Sequence, residues 1–165
     1  MKKYLSILLV LVAVFMLTAC ASEDVDAKKF IEDDFEITLN KGFEKKELAG
    51  INHYYQNDEM QIGVTVNSES RQAFKNAGID FPDDVKDYAE FVVKANSLSD
   101  SKVVTKGNYA QFSYKKTNNG KEYYYYATAH KAGDAYYLVN IFCFASQESE
   151  YQDLFAKWSD SIVVK

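Results

Sequence analysis

The sequence predicts an α+β fold, an α/β/α sandwich around a mainly antiparallel sheet, and three observations carry this prediction. Three strand-like segments, at 109–116, 121–130 and 135–144, follow one another between short turns, which is typical of an antiparallel meander. The last of them is apolar at both parities, and such a strand is usually covered on both faces. Helix-spaced apolar stripes lie before and after the meander, so helices are available to cover both faces.

The N-terminus is typical of a segment that targets and anchors the chain. Lys2 and Lys3 precede an apolar run at 5–17, which is shorter than the roughly 20 residues of a membrane span but fits a secretory signal. The following Leu-Thr-Ala-Cys, ending at Cys20, resembles the lipobox of bacterial lipoproteins. The resemblance implies a signal peptide at 1–19, cleavage before Cys20, and a diacylglyceryl group on its sulfur with further acylation such as palmitate. Two or more acyl chains hold a protein stably at a membrane.

The anchor and the lysine bias together indicate where the protein lies. The chain has eighteen lysines and a single arginine, Arg71. This bias is typical of AT-rich coding and favours a Gram-positive source. We therefore expect a lipid-anchored protein on the extracytoplasmic face of the cell membrane. Once Cys20 is acylated, Cys143 is the only remaining thiol and has no partner for an intramolecular disulfide. Its apolar surroundings predict a buried core residue.

The mature chain has the size of one domain. Residues 20–34 are rich in acidic side chains and predict a lipidated Cys followed by a polar tether, and residues 35–165 predict a single domain. The content of 47% hydrophobic residues excludes a disordered chain. The formal net charge of −5 argues against a nucleic-acid partner, because such proteins depend on basic side chains that contact phosphates.

Turn residues separate the predicted strands. Asn119-Gly120 follows the first meander strand and tolerates positive φ, and Gly133 lies in the second turn. Upstream, 35–39 and 60–66 alternate apolar and polar residues, which predicts two further strands.

Two helices are predicted before the meander. Apolar residues recur at helical spacing over 85–95, just after Pro82 and Asp84, and proline and acids are favoured at a helix N-terminus. A shorter helix is predicted over 70–77, and Gly78 is suited to end it.

One helix is predicted after the meander. Its apolar stripe runs from Tyr151 to Ile162, and Ser149 with Gln152 has the spacing of a capping box at its start. This helix and the two earlier ones are expected to lie on opposite faces of the sheet.

The segment at 35–43, FEITLNKGF, resembles the x-I-x-L-P-x-G-[FW] opening of the Mog1/PsbP-like family, with Asn40 where the family usually has proline. The turn at Gly133 into an apolar strand and the closing helix at 155–162 fit the same plan. The resemblance covers 35–165 and implies an α/β/α sandwich. Named members bind different partners, so it implies no functional residues. A cystatin-like or NTF2-like helix on a curved sheet is the alternative, which would leave one sheet face open.

No catalytic or metal-binding motif is present: the sequence has no GxSxG, HExxH, CxxC, Walker loop or GxGxxG. The only histidines, His53 and His130, are single residues without neighbouring ligands, and we expect neither to bind a metal. No cofactor is expected.

An acidic group at the start of the second predicted helix is the one weak metal candidate. It consists of Asp80, Asp83, Asp84 and Asp87. Ca²⁺ takes six to eight oxygen ligands, but the spacing does not match an EF-hand loop. Acids also stabilise a helix N-terminus, so we expect a helix cap here rather than a metal.

Tyrosine is the most unusual feature of the composition. Thirteen are present, and four consecutive ones, 123–126, place two on each face of one strand. Cross-strand aromatic pairs stabilise sheets, and exposed aromatic patches usually bind a partner. The candidate binding surface consists of Tyr124, Tyr126, His130 and Tyr136.

These observations favour a non-enzymatic lipoprotein that binds a protein, peptide or glycan partner in the cell envelope. The alternative is an envelope enzyme of the hydrolase kind, whose acid–base pair would require a cleft with His53 or His130 near a carboxylate. A solute-binding importer component is excluded by size, since it usually needs two lobes. The sequence does not define the ligand, the oligomeric state or the biological process.

Overall fold

Two antiparallel sheets and three helices build the fold, which a computed structural model describes for residues 26–98 and 100–165. The strands are β1 (Ala27–Ile31), β2 (Phe35–Asn40), β3 (Glu44–Lys46), β4 (His53–Asn57), β5 (Ile62–Ser70), β6 (Val104–Lys106), β7 (Tyr109–Asn118), β8 (Lys121–Ala132), β9 (Ala135–Phe144) and β10 (Val163–Val164). The helices are α1 (Arg71–Ala77), α2 (Val85–Ala95) and α3 (Glu148–Asp160), the last preceded by a short 3-10 turn.

The larger sheet has the order β3-β4-β5-β9-β8-β7-β6. After β5 the chain crosses one face as α1 and α2, reaches the far edge as β6, and returns as the meander β7–β8–β9 to pair β9 with β5. Asn119 and Gly120 form the two-residue turn between β7 and β8 at φ of 50° and 75°. The predicted meander is confirmed.

Three layers result, and the α/β/α prediction is confirmed. One face of the larger sheet packs against α3 and against the small sheet, whose order is β1-β2-β10. The opposite face packs against α1 and α2 through a second cluster that includes Phe74, Tyr88 and Tyr136. The alternation in β2 places Phe35, Ile37 and Leu39 in the first cluster, all fully buried.

The helix ends agree in part with the sequence. Ser70 caps the N-terminus of α1 by accepting a hydrogen bond from the Ala73 amide, and Gly78 ends that helix at φ 69°. For α3 the predicted capping box of Ser149 and Gln152 is wrong. The 3-10 turn leads directly into Glu148, so Ser149 already lies inside the helix and makes no cap.

The chain enters the fold at Ala27, so the predicted polar tether to residue 34 is wrong over its second half. β1 pairs with β2 along its whole length, and Phe30 is buried with its ring 4.6 Å from that of Tyr55. Only one of the five β1 side chains is buried, because β1 is an edge strand of the small sheet, and this explains its tether-like composition. The predicted signal peptide and Cys20 lie outside the described residues.

Within residues 26–98 and 100–165, no helix is long and apolar enough to cross a membrane.

Candidate functional site: an aromatic sheet face

The predicted tyrosine surface is wrong, because all four of its residues are buried. Tyr124 and Tyr126 are each 2% exposed, and their rings pack against Phe155 of α3 at centroid distances of 6.4 and 6.5 Å. Tyr136 is fully buried on the opposite face, where it stacks on Tyr88 at 4.5 Å. Its hydroxyl donates to the Pro82 carbonyl oxygen at 2.8 Å. These tyrosines are therefore core residues.

His130 is also part of the interior. It is 4% exposed, stacks on Tyr109 with 5.1 Å between ring centroids, and its Nε2 lies 3.0 Å from Thr128 Oγ1. Burial lowers the pKa of His130 to about 4, so the ring is neutral in the fold at ordinary pH.

Other aromatic side chains are half-exposed, among them Tyr123 and Tyr125 at the opposite parity of β8. Six of them lie on the α1/α2 side of the larger sheet, at the end that these helices do not reach, and we call this surface the aromatic face. Its residues are Tyr54, Tyr114, Tyr123, Tyr125, Phe142 and Phe144.

The register puts these rings side by side. Tyr125 lies opposite Tyr114 on one neighbouring strand and opposite Phe142 on the other, while Tyr123 lies opposite Phe144. Tyr114 and Tyr125 stack in parallel planes at 4.7 Å, and Tyr125 and Phe142 are 5.3 Å apart. Such cross-strand aromatic pairs stiffen a sheet and fix the rings as a rigid surface.

The aromatic face is uncovered because the helices are too short. α2 has 11 residues and is about 16 Å long, whereas the 12 residues of β8 extend over about 40 Å. α2 covers the half of β8 that contains Ala127 and Ala129, which are fully buried. Tyr123 and Tyr125 lie beyond its reach. The prediction that β9 is covered on both faces holds therefore only for its N-terminal half.

Polar groups lie between and around the rings. Asn140 is half-buried within the aromatic face and accepts a hydrogen bond from the Tyr114 hydroxyl at 3.2 Å. The Phe142 ring packs directly against the backbone of Gly63, since a Cβ at this position would come within 2.3 Å of the ring. Lys121 Nζ lies 5.1 Å from the centre of the Phe144 ring.

An open groove of about 290 Å³ runs along one side of the aromatic face, lined among others by Tyr54, Gln56, Tyr123, Phe142 and Phe144. Rigid, amphipathic rings with interspersed hydrogen-bonding groups are the composition of binding surfaces. The arrangement has no nucleophile or acid–base pair.

The histidine required by the enzyme alternative does meet a carboxylate. His53 Nε2 lies 2.9 Å from Asp34 Oδ1, and the ring stacks on Phe35 at 5.8 Å. The other ring nitrogen, Nδ1, is buried and has no hydrogen-bond partner among the described residues. A general base has to reach a substrate proton, and here the free nitrogen is enclosed by protein. This pair therefore fits a structural role better than a catalytic one.

Carboxylates beside this pair are held by lysines. Burial raises the pKa of Glu32, but hydrogen bonds from Lys45 and Tyr55 outweigh it and leave that pKa below its usual range. Hydrogen bonds from Lys165 and Lys29 lower the pKa of Glu36 to about 2. Both carboxylates are charged at neutral pH. Glu32 connects the small sheet to β3 and β4, whereas Glu36 links the strands within it.

The remaining predicted residues have structural surroundings. Asp84 caps α2 by accepting hydrogen bonds from the Lys86 and Asp87 amides at 2.8 and 2.9 Å, as the helix-cap interpretation requires. Among the described residues no group of three or more His, Cys, Asp or Glu side chains is arranged to hold a metal ion. Cys143 is fully buried, as predicted, and burial raises the pKa of its thiol to about 11.

Solved structures share this fold. A protein from Bacteroides thetaiotaomicron matches with a TM-score of 0.60 and 11% identity, over 85% of this chain and 49% of that one, so this chain spans about half its length. The Ran-binding protein Mog1p of Saccharomyces cerevisiae matches with a TM-score of 0.57 and 11% identity, over 84% and 95% of the two chains. Cyanobacterial PsbP from Synechocystis matches with a TM-score of 0.52 and 10% identity, over 90% and 99%.

The fold is therefore Mog1/PsbP-like, as the opening segment and the closing helix predict. At 10–11% identity the similarity extends to the fold alone. No protein-family model and no curated protein matches this sequence.

Proposed function

We propose that this protein is a membrane-anchored extracytoplasmic lipoprotein whose domain is a non-enzymatic binding module, and that it holds a protein partner on the aromatic face. The observation that carries this proposal is the row of half-exposed rings on rigid central strands. Adjacent aromatic rings that a folded domain leaves partly in water are typical of a surface that binds a partner.

A protein partner fits the shape of the surface better than a small molecule does. The aromatic face is broad, and the groove beside it is open rather than enclosed. Small-molecule sites are concave and bury most of their ligand, whereas Tyr- and Phe-rich, gently contoured surfaces are typical of protein interfaces. A Ran-binding protein shares the fold, which supports a protein partner for this scaffold.

The entry of the chain at Ala27 supports a role close to the membrane. If Cys20 carries the lipid, residues 21–26 connect it to β1, and six residues span at most about 20 Å. The domain would then stay within that distance of the bilayer, so its partner would be a membrane protein or one held at the membrane surface.

Two experiments test the proposal. Mass spectrometry of the chain purified from membranes is expected to show a diacylglyceryl group on Cys20, and Cys20→Ala is expected to release the protein from the membrane fraction. An unmodified Cys20 in the membrane-bound protein would contradict the anchor.

The binding surface is tested by crosslinking in the producing cell. A photoreactive phenylalanine analogue replaces Tyr123 or Tyr125 on the aromatic face, with exposed Asp153 of α3 as the matched control position. We expect one discrete, protease-sensitive adduct from the first two positions and none from Asp153. Equal crosslinking at all three positions, or an adduct that is glycan and not protein, would contradict the proposed partner.

A further inference from the structure

The outer edge of β7 is unpaired over most of its length. β6 pairs only with the first three residues of β7, Tyr109 to Gln111. Before β6 the described chain touches this edge through the side chain of Ser101 but does not pair with it as a strand. An open strand edge presents a row of amide and carbonyl groups that can pair with another chain.

The register shows which groups are open. In an antiparallel pair each residue presents its N–H and C=O to the same side, and Tyr109 and Gln111 present theirs to β6. By alternation Ser113, Lys115 and Thr117 also face outward, while Tyr114 and its even-numbered neighbours bond to β8. Of these outward groups, the described residues engage only the Ser113 carbonyl, which accepts a hydrogen bond from Ser101 Oγ at 2.9 Å.

A cavity of about 410 Å³ lies directly along this edge. Its lining includes Leu98, Ser113, Lys115, Tyr124 and Glu148. Tyr124 is 2% exposed, and its hydroxyl is buried without a hydrogen-bond partner among the described residues. A buried, unpaired hydroxyl is unfavourable, and here it belongs to a residue that lines a space large enough for a side chain.

Lysines outnumber acids in the segment that forms this edge, although Asp100 and Glu148 line the cavity itself. Within 100–122 there are five lysines against two acids, in a chain with a formal net charge of −5. Lys115 is paired with Glu148 at 2.7 Å, whereas Lys102 and Lys116 make no ion pair among the described residues. Lysines on an edge also discourage self-pairing. That protective role does not account for the cavity or for the unpaired hydroxyl.

We propose that the partner of this module contributes an extended, carboxylate-bearing segment that adds to the larger sheet as a strand along Ser113 to Thr117. The N–H of Ser113 and the backbone groups of Lys115 and Thr117 bind the segment, and the lysines attract its carboxylates. One of its side chains enters the cavity and accepts a hydrogen bond from the Tyr124 hydroxyl. The proposal deepens the binding function above, but it rests on the edge and not on the aromatic face.

The test uses hydrogen exchange, because strand addition protects alternate amides. The full chain, purified in mild detergent, is mixed with a synthetic seven-residue peptide that alternates valine and glutamate. With the peptide at about ten times its Kd, exchange at the Ser113, Lys115 and Thr117 amides is expected to slow about tenfold. The Tyr114 and Lys116 amides, which already bond to β8, are expected to change little.

Modified peptides separate strand addition from charge attraction. N-methylation of the peptide residues that pair with β7 is expected to abolish protection, and methylation of the alternate residues is expected to preserve it. A peptide with lysine for glutamate is expected to bind at least tenfold more weakly. Equal protection by both methylated peptides would overturn the proposal, because the backbone pairing would then play no part.

Two variants test the site itself. Thr117→Pro removes an outward N–H that would bond to the added strand, so it is expected to weaken binding. The variant is expected to fold, because proline is tolerated on an edge strand where the N–H faces solvent. Tyr124→Phe removes only the hydroxyl and is expected to weaken binding several-fold. The melting temperature of each variant is expected to show that it folds. Absence of protection at all three amides in the unsubstituted protein would overturn strand addition. Crosslinking from Tyr123 and Tyr125 would still decide the aromatic face separately.

Discussion

We expect acid to destabilise this fold through one buried histidine, by an amount that urea unfolding can measure. His130 lies in the interior between Tyr109 and Thr128, and only the neutral ring fits there without a buried charge. The perturbation is a fall in pH from 7 to 4.5, applied to the protein and to His130→Gln. Glutamine places an amide nitrogen near the position of Nε2 but does not titrate.

The magnitude follows from the two pKa values. In the unfolded chain the pKa of His130 is 6.5, and burial lowers it to about 4 in the fold. Between these values the unfolded state binds a proton that the folded state does not. The contribution of neutral His130 to the free energy of unfolding is therefore fully present above pH 6.5 and is lost as the pH falls to about 4. At 1.36 kcal/mol per pKa unit the total loss is about 3 kcal/mol, of which about 2.5 kcal/mol appears by pH 4.5.

The assay is urea unfolding at several pH values, followed by tryptophan fluorescence of Trp158. We expect the free energy of unfolding of the unsubstituted protein to fall by about 2.5 kcal/mol more than that of His130→Gln between pH 7 and 4.5. Both proteins have the same carboxylates, so the effect of carboxylate titration on the free energy of unfolding cancels when the two proteins are compared. Equal losses in the two proteins would refute the reasoning, since His130 would then be charged or solvated in the fold.

Three further experiments test packing, capping and thiol chemistry. Gly63→Ala is expected to lower the free energy of unfolding in urea by about 1–3 kcal/mol, because its Cβ collides with Phe142. Adding Phe142→Ala should relieve this clash. Purely additive losses in the double variant would contradict the contact. Asp84→Ala is expected to lower the free energy of unfolding by about 1 kcal/mol, because it removes the cap of α2. The matched control, Asp83→Ala, should lower it by less than half as much. Equal losses in the two variants would argue against capping. The Cys143 thiol, with its raised pKa, is expected to react with a disulfide reagent at pH 8 only after unfolding, and rapid labelling of the folded chain would show that it is accessible.

The sequence predicts the long elements well and the short edge strands poorly. β9 and α2 have the predicted bounds because their patterns extend over ten or more residues. β3, β6 and β10 have three residues or fewer, and β3 consists of Glu-Lys-Lys, so no alternation can reveal them. Their pairing depends on neighbours that are distant in the chain.

The exposed tyrosines of β8 were predicted at the wrong parity because the sequence is symmetric there. Tyr123 to Tyr126 place the same residue type on both faces of β8, so this strand cannot indicate which face is covered. A signal does exist on β9, where Asn140 interrupts the row of alternate apolar residues that ends in Phe144, while the other row is apolar throughout. The length of α2 is a second signal, since 11 helical residues cannot cover a strand of 12.

The two proposed surfaces share one strand, and this has a geometric consequence. A strand added to β7 lies about 4.8 Å from it, and the residue opposite Tyr114 belongs to a pair without mutual hydrogen bonds, whose side chains are close. Its side chain therefore continues the row formed by Tyr114, Tyr125 and Phe142 on the aromatic face. A partner that adds such a strand extends this row without any movement of α2. Substitution of Tyr114 is then expected to weaken binding through both surfaces, whereas Tyr124→Phe acts through the edge alone.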